Sequence, residues 1–112
     1  DRIRYLALMA WEVTDKEMFR MVVGQFINDG DKQIVEYVVS SLPKVIPDRA
    51  VSIIKQRAYT YEWYANAALY ALKQICNREA LDEVETLTHA TCTDVRQYAM
   101  QVRRYILHNL ED

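Results

Sequence analysis

Residues 30 positions apart along this chain repeat in kind, and that step limits the available folds more than any single motif does. Val35, Ala65 and Val95 are 30 residues apart, as are Leu42, Leu72 and Val102; Ala50 and Ala80, and Val51 and Leu81, keep the same step. Within each interval the apolar residues recur every three or four positions. That spacing collects them on one side of an α-helix, whereas a strand face would need every second residue. A unit of this size cannot bury its apolar side alone and does so by stacking on its neighbours. Residues 79–106 show one unit most plainly, as two amphipathic stretches flanking the polar turn around His89.

The punctuation residues support an all-α chain of about seven helices. Only two Gly and two Pro are present among 112 residues, which leaves little material for hairpins, phosphate-binding Gly loops or short-stranded sandwiches. A first helix over 2–11 carries Ile3, Leu6, Ala7 and Ala10 on one face. Thr14 to Glu17 has the form of a capping box opening a second helix, with Phe19, Val22, Val23, Phe26 and Ile27 inward. The turn formers at 28–31 end it. Because Phe19 to Val35 spans 16 residues against 14 from Val51 to Ala65, that turn should absorb about two extra residues.

A third helix with Val35, Val38, Val39 and Leu42 should stop at Pro43, since the residue before proline is steered out of the α region. Pro47 and Asp48 suit the first turn of a fourth helix bearing Val51, Ile54 and Ala58 and ending near Tyr59. The fifth covers 63–75, with Ala65, Ala68, Leu69, Leu72 and Ile75 inward, and Asn77 is its break. Ala80, Leu81, Val84 and Leu87 define the sixth. Thr93 caps the seventh, whose core face is Val95, Ala99, Val102 and Ile106.

Length fits a single domain spanning 1–112. Because residue 1 is Asp and a helical pattern is already running at Ile3, the chain is expected to be a piece of a longer protein. Its 14 basic and 16 acidic residues give a net charge of −2. That supplies no overall basic field for nucleic acid or an anionic membrane. No apolar run approaches the roughly 20 residues a bilayer span needs. Two cysteines are too few for a disulfide framework and suit a reducing, cytoplasmic setting.

The last unit resembles the short HEAT-like repeats found in bacterial scaffold proteins and in bilin lyases. Glu79-Ala80-Leu81 resembles that family's opening helix. Asp94-Val95-Arg96, Ala99 and Val102 resemble its second helix, Ile46 to Val51 resembles the junction between repeats, and Ile3-Arg4 resembles another Val-Arg pair. The resemblance implies a right-handed α-α superhelix of the HEAT/armadillo type, here half a repeat followed by three helix pairs. The chain departs from the pattern where Glu36 and Asn66 replace the arginine, and where Gly30, Thr60 and Ala90 replace the aspartate six residues earlier.

Several constellations invite a chemical reading. Cys76, His89, Cys92 and His108 are zinc-ligand types, but their places in the helix pairs put Cys76 at the opposite edge from His89 and Cys92. That separation also argues against a Cys–His nucleophile. Asp94, Glu83 and Glu85 read as solvated helix charges, not as acid–base carboxylates. Iron-dependent hydroxylases on related scaffolds use His-Glu pairs, and neither His here precedes Glu. Among the eight tyrosines, the run Tyr59, Tyr61, Trp63 and Tyr64 suits either an interface or a plug for the turn between helices. Arg96, Arg103 and Arg104, with Arg4, would make a basic stripe, but Glu36, Ser40, Asn66 and Tyr70 interrupt it in the middle repeats.

The reading favoured is a protein–protein interaction scaffold with no catalytic residues, no metal and no cofactor. Its partner is another protein, held on a concave face of the helices at 31–42, 62–75 and 94–108. The residues expected to carry it are Glu36, Ser40, Trp63, Asn66, Tyr70, Arg96 and Arg103. The alternatives are a DNA-backbone-binding module of the alkylation-repair glycosylase type and a bilin lyase-like accessory subunit.

Overall fold

A computed structural model describes residues 2–110, and among these every regular element is helical. The elements are α1 (Arg2–Thr14), α2 (Lys16–Val22) with a 3-10 turn after it (Val23–Phe26), α3 (Lys32–Val45), α4 (Ala50–Ile54), α5 (Glu62–Ile75), α6 (Arg78–Leu87) and α7 (Thr93–Leu110). No helix among the described residues is long and apolar enough to cross a membrane.

Burial repeats with the same 30-residue step as the sequence. Ile34, Val35, Val38, Val39, Ser41 and Leu42 of α3 are buried, and so are Tyr64, Ala65, Ala68, Leu69, Ala71 and Leu72 of α5. Ala50, Val51, Ile53 and Ile54 of α4 recur as Ala80, Leu81, Glu83 and Val84 of α6. The step extends to the N-terminal unit, where Leu8 precedes Val38 and Val23 precedes Ile53, all four buried. Helices α3, α5 and α7 pack side by side in that order, with α1 against α3 at one end and α4 and α6 on the far side of α5.

Local chemistry sets the helix ends. Asp15, Asp31 and Asn77 are N-caps whose side chains accept from the N–H groups of Met18, Gln33 and Ala80, each satisfying an orphan donor of a first turn. Asn77 is the break expected from the sequence, and Cys76 before it takes the left-handed conformation, with φ 49°. The cap of α2 is Asp15, not Thr14. The Thr14 hydroxyl instead donates to the Ala10 carbonyl within α1, a back-bond that competes with capping.

Three other expectations are corrected. The third helix continues through Pro43 to Val45. Proline removes one bond there, but buried Leu42 and Ile46 hold the final turn, and the Ile46 N–H donates to the Leu42 carbonyl. The fourth helix starts only at Ala50 and stops at Ile54, leaving Pro47 and Asp48 outside it and Ala58 exposed. On α1 the face of Ile3, Leu6 and Ala10 points to solvent; Leu8 is buried instead. Tyr5 turns inward with it, its ring 5.5 Å from that of Tyr37.

Candidate interaction face

Because α3 and α5 are covered on both flanks, each shows solvent only a narrow strip opposite its core. Glu36 and Asn66 are half-buried on these strips, and Ser40 and Tyr70 are exposed there. On α7 the same register gives Arg96, half-buried, and Met100 and Arg103, exposed. The helix row therefore brings Glu36, Ser40, Asn66, Tyr70, Arg96 and Arg103 onto one side of the molecule. Contacts between neighbouring helices fix the strips relative to one another. Lys32 Nζ of α3 lies 5.9 Å from the Trp63 ring of α5, and Lys73 Nζ of α5 lies 4.6 Å from the Tyr105 ring of α7.

The Ser40 hydroxyl donates within α3 to the Tyr37 carbonyl at 2.9 Å, and Trp63 and Arg96 are engaged with turns of the chain. Trp63 is half-buried and stacks on Tyr61 at 5.9 Å, and the Arg57 guanidinium sits 5.2 Å from its ring. Arg57 also lies 5.3 Å from the ring of Tyr64, and its Nη1 donates to the carbonyls of Ile27 and Asp29, each at 3.1 Å. Trp63 thus belongs to a brace tying the 27–29 turn to the start of α5, an arrangement that uses the planar, stackable cation of arginine. Arg96 Nη1 donates to the Ala90 carbonyl at 2.9 Å, which closes the turn before α7. Tyr70, by contrast, is 55% exposed, and among the described residues Arg103 reaches only a half-exposed Glu85 at 3.8 Å.

The aromatic run mainly fills the turn, as one of the two sequence readings proposed. Tyr64 is fully buried and its hydroxyl donates to the Ile54 carbonyl at 2.7 Å. Tyr59 stacks on Tyr64 at 5.7 Å and donates to Glu83 at 2.5 Å. Glu83 is therefore not a solvated helix charge but a buried carboxylate. Burial, and for Tyr59 the bond to Glu83, push the phenols of Tyr59 and Tyr64 far above their usual range. Tyr37 is raised for the same reasons, with Glu12 as its hydrogen-bond partner. Asp29 is held below the usual carboxylate range: burial opposes this, but the Asp31 N–H and the Arg4 guanidinium outweigh it.

His89 and His108 are exposed and Cys76 and Cys92 are half-buried free thiols. Among the described residues no three ligand-type side chains gather as a metal site. The sequence reading missed the outer strip of α1, where Leu6, Ala10 and Val13 are exposed. The signal was present at the same 30-residue step, which places Leu6 before Glu36 and Ala10 before Ser40. No protein-family model, no curated protein and no solved structure matches this chain.

Proposed function

We propose that this chain is a non-catalytic protein-interaction module made of HEAT-like helical repeats, an α-solenoid that holds another protein on the outer strips of α1, α3, α5 and α7. The observation that carries this reading is the recurring burial register. It buries the same positions of α3 and α5 and leaves the same strip open on both helices. Stacked helices with such a strip supply an extended surface for recognition. The strip's side chains differ from rung to rung, from Glu36 and Ser40 to Asn66 and Tyr70 to Arg103, and that variation is where specificity is written. Affinity capture from a lysate tests the proposal. The double variant Tyr70→Ala with Arg103→Glu should lose the proteins recovered by the wild-type chain while its circular dichroism stays unchanged. Equal recovery by both chains would overturn the reading.

A further inference from the structure

The interaction face changes character along the helix row, and we propose that its occupant is an extended segment of another protein with aliphatic residues at one end and carboxylates at the other. This inference rests on the interaction reading above and specifies the partner's chemistry. The 30-residue step equates Leu6 with Glu36, Asn66 and Arg96, and Val13 with Pro43, Lys73 and Arg103. The outer strip of α1 is therefore the first rung of the same face. It is aliphatic, with Leu6 52% and Val13 77% exposed and Ala10 between them. Exposed apolar side chains gathered on one helix face, unlike scattered ones, are a feature of interaction surfaces.

The opposite end of the row is cationic. Arg103 and Arg104 are exposed on α7, and Lys73 of α5 lies over the ring of Tyr105, the next residue along α7. Among the described residues Arg103 meets a carboxylate only at the long distance of 3.8 Å, with both side chains half-exposed. Exposed ion pairs of this kind contribute little affinity, so they orient a ligand while the aliphatic rung supplies the burial. Neighbouring helices pack about 8–10 Å apart, which puts the two ends of a four-helix row about 24–30 Å apart. At about 3.3 Å per residue, an extended segment crosses that distance in roughly eight residues. Duplex DNA matches the arginines but finds nothing to contact on the Leu6–Val13 rung.

Selection of phage-displayed random dodecamers against the full chain tests the proposal. Enriched peptides should carry an aliphatic cluster and an acidic cluster about six to nine residues apart. Synthetic copies should bind at least about tenfold more weakly to Leu6→Asp with Val13→Asp, and likewise to Arg103→Glu with Arg104→Glu, about 1.4 kcal/mol in each case. These side chains are exposed, and helicity by circular dichroism checks that each variant folds. Enriched peptides that need Tyr70 but lack the pattern would overturn this inference and leave the interaction reading standing. Peptides indifferent to Tyr70→Ala and to both double variants would overturn both. No enrichment, a basic consensus, or displacement of the peptides by duplex DNA or by a second copy of the chain would also overturn the inference.

Discussion

Tyr59 Oη donates a 2.5 Å hydrogen bond to Glu83 Oε2, joining the turn before α5 to the buried side of α6. Glu83 lies 30 residues after Ile53 and 60 after Val23, and both of those are buried aliphatics. A carboxylate in that slot keeps its place because the tyrosine supplies a donor. Tyr59→Phe should cost about 1–3 kcal/mol, the usual penalty of leaving a buried polar group unpaired. Glu83→Ile in the same chain should recover most of that loss, since the slot is aliphatic in the two earlier units. Urea denaturation of the two single variants and the double variant measures the coupling; additive costs would contradict it.

The Arg57 brace makes a second prediction. Arg57→Ala exposes two carbonyls, of Ile27 and Asp29, and removes the cation from the rings of Trp63 and Tyr64. A loss of about 2 kcal/mol is expected. Arg57→Lys should recover little of it, because a compact ammonium lacks the planar cation that lies against the Trp63 and Tyr64 rings while its Nη1 reaches both carbonyls. Thermal melting of the two variants checks this, and a lysine variant as stable as the wild type would contradict it.

Stability should fall in alkali. The phenols of Tyr37, Tyr59 and Tyr64 have folded-state pKa values raised above the ordinary 10.0, burial being the largest cause in each. A raised folded pKa means that the folded chain holds its proton more tightly than the unfolded one. The contribution is therefore complete below pH about 10 and is lost as pH rises from there toward the folded-state values. Phenolate absorbance followed beside circular dichroism should show these three titrating only as helicity collapses; their ionisation while helicity is intact would contradict it.

Cys76 adopts φ 49° and ψ 53° between α5 and α6. Left-handed backbone costs an ordinary residue about 1–2 kcal/mol, and a β-branched one most of all. Cys76→Val should destabilise the chain by at least about 1 kcal/mol, while Cys76→Gly should be neutral or gain up to about 1 kcal/mol. Chemical denaturation orders the three proteins as Gly at or above Cys, then Val.

The C-terminal half was legible in the sequence because each helix there has a single apolar stripe. Val95, Ala99, Val102 and Ile106 are all buried, and so are Ala80, Leu81, Val84 and Leu87. Helix α1 carries two competing stripes, and periodicity alone cannot rank them. The contact of Tyr5 and Glu12 with Tyr37 turns Leu8 inward and leaves Ile3 and Leu6 outside. The premature end of α4 has a similar origin, since Arg57 just beyond it is drawn to carbonyls about 30 residues upstream. The same holds for the face. The register placed Glu36, Asn66 and Tyr70 together, but the engagement of Trp63 by Arg57 comes from side-chain packing that spacing does not reveal.

The side-by-side order of α3, α5 and α7 also bears on how the chain reaches its folded state. The principal contacts join helices that are near neighbours in the chain, so each docking event closes a loop of similar, modest length. Loop-closure entropy grows only slowly with length and is met here in small instalments. A chain organised this way has low contact order, a property that goes with fast folding, and α5 with α7 can form a seed on which the remaining helices add in sequence.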